Sequence, residues 1–446
     1  MKSICSFIIC CILLFLLYSI VSAEAYDSYI LKYKNNDDIQ IITEKEKEYI
    51  LDNIGVSTYS NMSGEIEYIE PNYDVFLYGD TEFNWNLDMI NASYAWEYGC
   101  YGNGINIAVL DSGVSSFGSF VNSLTIGYNL INYSDDVTDN IGHGTFVCGI
   151  IANDNNEYTK GISPKANIIP IKCFDKNYTT KVDKIAEALK YAINNFDCDI
   201  INMSFGINGN SAYLKSVVDL AIQKGVILIA AVGNSGTDSL RFPAAYDGVI
   251  GVGAIDKQYS WCNFSQHNKS VDVVAPGKNI NSVSIDGYKE DSGTSFATPH
   301  VKAAAALALS IYGEITPNQF CELLQTTSTD LGEVGYDEYY GYGLINVEKI
   351  AEQLINQNEI FMSPINIDGR QYSITIRNNT DSVLSAVNVI YDYDNNTLCK
   401  ITPLNLNSYE KINVKCYTRV TGNIKSFLWD DLNTINPLTL YRQYTK

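Results

Sequence analysis

The sequence predicts an α/β fold with a doubly wound parallel sheet, and two features of the stretch from 85 to 353 lead to this prediction. Near-continuous apolar runs recur along it, as is typical of parallel strands that helices cover on both faces. Stretches with helical apolar spacing separate these runs. Sheets of this class carry their functional sites beyond the carboxyl ends of the strands. The predicted strands lie at 105–110, 167–171, 200–203, 226–231 and 249–252, and the predicted helices at 182–194, 213–224 and 298–312.

Two smaller segments flank this domain. Residues 26–75 combine short alternating strands at 29–33 and 66–69 with a charged helical stretch at 44–50, which predicts a small α+β unit. After residue 356, alternating strands separated by Asn and Asp turns predict a small antiparallel β-sandwich. Its predicted strands lie at 372–376, 386–390 and 411–415. The predicted division is a leader at 1–23, an N-terminal segment at 24–82, the α/β domain at 83–355 and the β-sandwich at 356–446.

The first residues have the pattern of a secretory signal peptide. Lys2 precedes an apolar run at 4–20, and small residues follow at 21–23. A membrane anchor is the competing interpretation, but the run is short for a span and the small residues favour cleavage, after Ala23 or Ala25. No other stretch is apolar for the roughly 18 residues that a span needs. We expect a secreted, extracellular, monomeric protein with no membrane attachment once the leader is removed.

Eight cysteines lie beyond the leader, an even number that permits disulfides in an oxidising compartment without requiring them. Cys148, Cys173 and Cys198 lie in apolar patterns, where buried free thiols are expected. A bridge between Cys399 and Cys416 stays open.

The charge of the chain argues against two classes of partner. The formal net charge is −21, the opposite of the basic footprint of proteins that bind nucleic acid or anionic membranes. Residues 48–159 contain 16 acidic side chains and no Lys or Arg. We expect neither nucleic acid nor a membrane as a partner.

Three polar clusters lie where predicted strands end or helices begin. Asp111 closes an apolar run, His143 lies between two glycines ahead of an apolar stretch, and Ser295 follows Gly-Thr ahead of a small-residue helix. Singly, each has an ordinary structural explanation, as a turn residue, a hydrogen-bonded His or a helix cap. Together they supply a nucleophile, a base and a carboxylate that orients the base.

The base is assigned by elimination, because the chain has three histidines. His267 lies in a polar loop, and His300 follows a proline inside a helix and is expected to be structural, which leaves His143. Asn234 follows a buried strand, and an amide in that position can donate a hydrogen bond to an oxyanion. An Asn in a turn is the alternative.

The motifs around these residues resemble those of the subtilisin family of serine peptidases. In the family's order they are V-L-D-S-G-V, G-H-G-T, I-N-M-S-F-G, A-A-V-G-N and G-T-S-F-A-T-P-H, within residues 85–350. The resemblance implies that Asp111 orients the base, that His143 is the general base and that Ser295 is the nucleophile. It also implies that Asn234 and the Ser295 backbone N–H are the oxyanion donors.

The resemblance further implies where the substrate binds. The family pairs its substrate strand with the S-x-G segment and walls its first specificity pocket with the segment before the oxyanion Asn. The implied substrate-binding residues are Ser204, Phe205, Gly206, Ala231, Val232 and Gly233.

Arg241 is a candidate for the floor of this pocket by its position. A cation there would favour Asp or Glu before the cleaved bond. The alternative is that Arg241 points from a loop into solvent. Asp80 and Glu82 lie in the junction between the N-terminal segment and the peptidase, which would suit self-cleavage.

The resemblance also predicts how the enzyme matures and what it requires. Family members carry an N-terminal propeptide that assists folding and then occupies the cleft, and residues 24–82 match that position. The absence of Lys and Arg between Lys47 and Lys160 excludes self-cleavage at a dibasic site. No cofactor is required for the chemistry and no metal takes part in it. The oxygen-rich stretch 153–157 leaves a structural calcium ion open.

The sequence therefore predicts an exported serine endopeptidase that hydrolyses peptide bonds through an acyl-enzyme at Ser295 and activates itself by removing its propeptide. Its expected partners are protein or peptide substrates and its own propeptide. Two alternatives stay open: a catalytically weak, peptide-binding pseudo-peptidase, and a surface adhesin in which the β-sandwich carries the function.

Overall fold

The computed structural model describes part of the chain. The described residues are 29–33, 39–43, 66–71, 84–115, 123–154, 159–368, 371–392, 397–417, 423–429 and 442–444. The chain divides into two compact units, Met1–Thr81 and Glu82–Lys446. The predicted leader at 1–23, the predicted helix at 44–50 and the junction that contains Asp80 and Glu82 lie outside the described residues. Within the described ranges, no helix is both long and apolar enough to cross a membrane.

The first unit contains a three-stranded antiparallel sheet in the order β2-β1-β3. Its strands are β1 (Tyr29–Tyr33), β2 (Ile39–Ile42) and β3 (Ile66–Pro71). Leu31 of the central strand is fully buried. The predicted strands at 29–33 and 66–69 are therefore present, and β2 is an addition to them.

The second unit is built on a seven-stranded parallel sheet in the order β10-β9-β8-β7-β4-β6-β5. The fold class predicted from the apolar runs is confirmed, with strand ends that differ by a few residues. The strands are β4 (Asn106–Asp111), β5 (Tyr128–Asn129), β6 (Asn167–Lys172), β7 (Ile200–Met203), β8 (Ile227–Ala231), β9 (Val249–Ile255) and β10 (Val273–Pro276).

The strand order reverses at β4, and this reversal fixes where the site lies. The chain runs from β4 to β5 and β6 on one side, and then from β7 to β10 on the other. A crevice opens at such a reversal, beyond the carboxyl ends of the strands, because the connecting helices leave in opposite directions. Asp111 is the last residue of β4 and stands at this crevice.

Helices cover both faces of the sheet, and small antiparallel strands accompany them. The helices are α1 (Trp85–Met89), α2 (Ser93–Glu97), α3 (His143–Ala152), α4 (Val182–Asn195), α5 (Ala212–Gln223), α6 (Thr294–Tyr312), α7 (Pro317–Thr327) and α8 (Val347–Ile355). The strands β11 (Ile280–Val283) and β12 (Tyr288–Asp291) form a hairpin immediately before α6.

Helix α6 begins four residues earlier than the predicted 298, in spite of the proline at its sixth position. Pro299 has no N–H for the carbonyl of Ser295, so that carbonyl would lose its helical partner. The hydroxyl of Ser204 replaces it, donating to the Ser295 carbonyl at 2.9 Å. The tertiary contact thus allows the helix to start at Thr294, where the sequence indicates an interruption.

The C-terminal part forms two antiparallel four-stranded sheets with a core of their own. One sheet contains β13, β14, β15 and β18, and the other has the order β17-β16-β19-β20. The strands are β13 (Ile360–Met362), β14 (Asn366–Asp368), β15 (Gln371–Asn378), β16 (Leu384–Asp392), β17 (Thr397–Leu406), β18 (Lys411–Tyr417), β19 (Ile424–Trp429) and β20 (Arg442–Tyr444).

The C-terminal sheets and the α/β part belong to one compact unit and are joined by polar contacts. Asn366 donates to the carbonyl of Gly99 at 2.7 Å. Arg377 donates to the hydroxyl of Tyr98 at 3.1 Å. Two hydrophobic cores lie within this unit, and Phe361, which lies beyond the predicted division at 355/356, belongs to the core of the α/β part.

Cys148, Cys173 and Cys198 are buried free thiols, as predicted. The Cys416 sulfur lies 4.0 Å from the carbonyl oxygen of Cys399.

Candidate active site

Asp111 and His143 meet at the carboxyl end of β4. The Nδ1 atom of His143 lies 2.8 Å from one carboxylate oxygen of Asp111 and 2.9 Å from the other. The Asp111 side chain is 5% exposed and the His143 side chain 26% exposed. Because an ionised carboxylate only accepts, Nδ1 carries the proton and Nε2 faces the cleft as the basic nitrogen.

Close backbone packing holds this pair in place. The Ser112 N–H donates to Asp111 Oδ1 at 2.7 Å, and the Gly144 N–H donates to the Ser112 hydroxyl at 2.9 Å. A Cβ atom on Gly144 would lie 2.2 Å from the carbonyl oxygen of Gly113 and 3.2 Å from Asp111 Cβ. The glycine that follows His143 is therefore required, because α3 approaches the end of β4 too closely for any side chain.

A second buried carboxylate, Asp139, supports the start of α3. It accepts from the N–H groups of Ile141 and Gly142, each at 2.9 Å, and from the N–H and hydroxyl of Thr145 at 2.9 and 2.6 Å. Burial opposes ionisation of Asp139, but these hydrogen bonds outweigh it and lower its pKa. An anion at a helix N-terminus is also favoured by the helix dipole.

The pKa of His143 is raised, by carboxylates on three sides. Burial alone would lower this pKa, but Asp111, followed by Asp139 and Asp291, raises it above its ordinary value. The ring of Phe296 packs on the imidazole with 5.4 Å between centroids. The imidazole is thus oriented by a hydrogen bond on one edge and an aromatic ring beside it.

Ser295 is the second residue of α6 and forms a reciprocal pair with Ser204. Its hydroxyl donates to the Ser204 carbonyl at 2.9 Å, and the Ser204 hydroxyl donates to the Ser295 carbonyl at 2.9 Å. Among the described residues, this carbonyl and not His143 receives the Ser295 proton.

Asn234 and the start of α6 form a pair of convergent donors. The Asn234 side-chain oxygen accepts from the Thr294 N–H and from the Thr294 hydroxyl, each at 2.8 Å. Since an N–H only donates, this contact fixes the amide orientation and directs Nδ2 away from Thr294. A Cβ atom added to Gly293 would lie 3.3 Å from Asn234 Nδ2 and 3.7 Å from the Ser295 nitrogen. The two groups predicted to donate to the oxyanion, Asn234 Nδ2 and the Ser295 N–H, therefore lie near one another at the start of α6.

The two predicted substrate segments lie on either side of Arg241. A Cβ on Gly206 would lie 3.3 Å from Arg241 Cβ, and a Cβ on Gly233 would lie 2.9 Å from Arg241 Cγ. Arg241 is partly exposed, and its guanidinium donates to the exposed hydroxyl of Ser235 at 3.2 Å. The stem of Arg241 therefore lies beside the two glycines, whereas its charged end lies at the surface.

A cavity of about 140 Å³ opens on the other side of His143. Phe174 and Phe205 line it with ring centroids 5.3 Å apart, together with Tyr178 and Ile141. Of the predicted substrate residues, Ser204 and Phe205 line this cavity, whereas Gly206 and Gly233 contact Arg241. Ala231 and Val232 are buried beneath these segments.

The other two histidines lie outside this arrangement. His300 is fully buried, and burial lowers its pKa to about 4. Its Nδ1–H donates to the Phe296 carbonyl and its Nε2 accepts from the Asn86 side-chain amide, each at 2.8 Å. It has the structural role expected of it. His267 stacks on the ring of Tyr339 at 4.6 Å, a contact that the sequence of its loop does not indicate.

Sequence reasoning missed two residues that support the site. Asp139 carries the only local signal, since an acidic residue shortly before a helix is a capping pattern. Gln266 is fully buried, and its side chain bonds the backbone of Ser235, Thr237 and Ser239, the loop that follows Asn234. No local pattern marks Gln266, because its partners are distant in the sequence.

The described residues contain no group of three or more His, Cys, Asp or Glu side chains arranged to hold a metal ion. The stretch 153–157, for which calcium was left open, is described only at Asn153 and Asp154. The side chain of Asn153 donates to the Thr159 hydroxyl at 2.8 Å.

The comparisons with known proteins agree with this geometry. Residues 102–343 match the model of the subtilase family, Peptidase_S8. The chain is 35% identical over 289 residues to the thermostable alkaline protease of Halalkalibacterium halodurans, across 64% of this chain and 78% of that protein. It is 34% identical over 343 residues to the minor extracellular protease Epr of Bacillus subtilis, across 71% and 53% of the two chains.

A solved structure is similar as well. The crystal structure of a cold adapted subtilisin-like serine proteinase aligns with a TM-score of 0.51 and 31% identity, across 55% of this chain and 90% of that one. The fold, the motifs and these relatives lead to one conclusion: the chain belongs to the subtilase family and is a serine endopeptidase.

Proposed function

We propose that Ser295 is the nucleophile of this endopeptidase, His143 its general base and acid, and Asp111 the carboxylate that orients His143. The observation that carries the proposal is the Asp111–His143 contact at 2.8 Å together with the two donors that converge beside Gly293. The Ser295 hydroxyl leaves the Ser204 carbonyl and transfers its proton to Nε2 of His143 as Oγ attacks the substrate carbonyl.

The negative charge that develops on the carbonyl oxygen is taken by Asn234 Nδ2 and the Ser295 N–H. Loss of one such donor costs about 3–4 kcal/mol in the transition state. His143 then returns the proton to the leaving amine, which yields an acyl-enzyme, and water hydrolyses the acyl-enzyme by the same steps in reverse order. No metal or other cofactor takes part in these steps.

The reciprocal contact between Ser204 and Ser295 has a place in this cycle. The Ser204 carbonyl belongs to the segment with which a substrate strand is proposed to pair. In the structure, this carbonyl accepts from the Ser295 hydroxyl at 2.9 Å. When an N–H of the substrate backbone donates to the Ser204 carbonyl instead, the Ser295 hydroxyl is free to turn toward His143. Substrate binding and activation of the nucleophile are thereby coupled.

We further propose that the enzyme is exported and monomeric, that residues 1–23 are its leader and that residues 24–82 are a propeptide that it removes itself. The relative from Bacillus subtilis is named an extracellular protease, which supports export. The three-stranded sheet of the first unit supports a separately folded N-terminal segment. The C-terminal sheets are proposed to be an accessory part, since no observation favours an adhesin or a catalytically weak binding protein.

Expression of residues 24–446 as the wild type and as Ser295→Ala tests the proposal. The N-terminus and the intact mass of each product are read. The wild type is expected to lose the N-terminal segment, and Ser295→Ala to keep it. Ser292→Ala, a nearby exposed serine, serves as the control and is expected to mature normally. Maturation of Ser295→Ala in a host without other peptidases would contradict the proposal.

A further inference from the structure

The side chain of Arg241 crosses the space between the two proposed substrate segments. Phe242, the next residue, forms an antiparallel bridge with Ile207, with hydrogen bonds of 2.8 and 3.0 Å. This bridge holds Arg241 beside Gly206. The stem of Arg241 then passes Gly233, where a Cβ atom would lie 2.9 Å from its Cγ. Both neighbours are glycines, and a side chain at either position would collide with the arginine.

The substrate residue before the cleaved bond must place its side chain in the same space. Its carbonyl oxygen is held between Asn234 Nδ2 and the Ser295 N–H, and its Cβ lies only about 2.5 Å from the carbonyl carbon. One wall of the nearest opening is the segment of Ser204, which is hydrogen-bonded to Ser295. The other wall is Gly233, the residue immediately before Asn234. Arg241 lies between these walls.

The charge of Arg241 is not neutralised by an acidic partner. Among the described residues, no carboxylate oxygen lies within 4.0 Å of its guanidinium. Its recorded side-chain partner is the neutral hydroxyl of Ser235. Gln266 is adjacent, but its amide is committed to the backbone of the neighbouring loop. A guanidinium is always charged and presents several N–H donors that match a carboxylate.

We propose that Arg241 makes this enzyme prefer substrates with Asp or Glu immediately before the cleaved bond. The inference rests on the catalytic assignment proposed above, because the place of the substrate side chain follows from Asn234 and Ser295. A guanidinium without a carboxylate partner gains a charge-assisted hydrogen bond when an acidic side chain enters, and an apolar side chain gives it no such bond. Specificity thus comes from one loop residue and not from the catalytic residues.

Two internally quenched peptides that differ only by Glu or Leu before the scissile bond test the proposal. The wild type is expected to cleave the Glu peptide with the higher kcat/KM, and added salt should slow this peptide more than the Leu peptide. Arg241→Gln keeps the Cβ and Cγ methylene groups that pass Gly206 and Gly233 and removes the charge, so the Glu/Leu ratio should fall at least tenfold. Arg241→Glu should invert the preference toward a Lys peptide.

The controls separate this inference from the catalytic proposal. Arg377→Gln removes an arginine from the C-terminal sheet and is expected to leave the ratio unchanged. An unchanged ratio in Arg241→Gln, or a wild type that does not favour Glu, would overturn the role of Arg241. The Leu peptide reports on folding and catalysis, since it should be cleaved by both enzymes. A wild type that cleaves neither peptide would instead overturn the proposed catalytic function.

Discussion

Replacement of Lys302 by Met is expected to stabilise the protein, because this lysine is buried without a partner. Lys302 lies on α6, two helical turns beyond Ser295, and is 0% exposed. Among the described residues its ammonium nitrogen has no hydrogen-bond partner. Burial lowers the pKa of Lys302 well below its ordinary value, although Asp111 and Cys148 oppose the shift.

The size of the effect follows from the cost of burying an unsatisfied polar group, which is about 1–3 kcal/mol. The substitution removes this group and therefore this cost. Methionine has a similar length and no polar nitrogen, so Lys302→Met should raise the free energy of unfolding by this amount. At about 2.1 cal/mol/K of unfolding entropy per residue, the melting temperature of the second unit should rise by about 1–4 °C. Activity should stay within about threefold, because Lys302 is not among the residues that hold the substrate.

The stabilisation expected for Lys302→Met depends on pH, and the lowered pKa of Lys302 fixes the direction of this dependence. Between the lowered pKa of Lys302 and about 10.4, the unfolded chain binds a proton that the folded chain does not, so the wild type gains stability as pH rises. The advantage of Lys302→Met should therefore be largest at low and neutral pH and shrink toward pH 10.

Calorimetry in a Ser295→Ala background avoids self-digestion during the measurement. Lys349→Met, at an exposed position on α8, is the matched control and should leave the melting temperature unchanged. A lower or unchanged melting temperature of Lys302→Met at pH 7, with an unchanged control, would refute the reasoning. It would mean that the ammonium is charged and paired in solution.

Three further predictions follow from the site. The acid limb of kcat/KM should lie above pH 6.5, since His143 must be neutral to act as a base and its pKa is raised. The variant Asp111→Asn should lower kcat by about 10⁴-fold and shift this acid limb to lower pH. Gly144→Ala would place a methyl group 2.2 Å from a carbonyl oxygen, so activity should fall more than tenfold and the free energy of unfolding by about 1–3 kcal/mol. The control Gly209→Ala, whose methyl group would meet no atom within 4 Å, should change neither quantity. Asp139→Asn should lower the free energy of unfolding, measured with denaturant, by about 1–3 kcal/mol at neutral pH. The difference between the wild type and the variant should narrow as pH falls through the lowered pKa of Asp139, because the wild type then loses the same charge. An acid limb below pH 6, an active Gly144→Ala or a pH-independent difference for Asp139→Asn would count against the respective argument.

The sequence predicted those features of this protein that depend on residues close together in the chain. A strand buried on both faces appears as a continuous apolar run, and a residue at its carboxyl end is brought to the crevice by the topology alone. This is why Asp111, at the end of β4, and Asn234, after β8, were recognised as candidates. Glycines beside His143 indicated a close backbone approach, which the contact of Gly144 with Gly113 explains.

The remaining features depend on contacts between distant segments. Lys302 is a charged residue that local reasoning assigns to the surface, yet α6 is surrounded by the sheet and other helices and buries almost every side chain. The start of α6 ahead of Pro299 depends on a hydroxyl from Ser204. The position of Arg241 depends on Gly206 and Gly233, which lie on either side of its stem and are distant from each other in the sequence.

Reaction with a serine-directed peptidyl phosphonate tests the central claim most directly. The matured enzyme is treated with the phosphonate, digested and mapped by tandem mass spectrometry. The account predicts a single covalent adduct on Ser295. It should form at least about a thousandfold more slowly in His143→Ala from which an added peptidase has removed the N-terminal segment, because the hydroxyl then lacks its base. An adduct on another residue, or an equal rate without His143, would contradict the proposed mechanism.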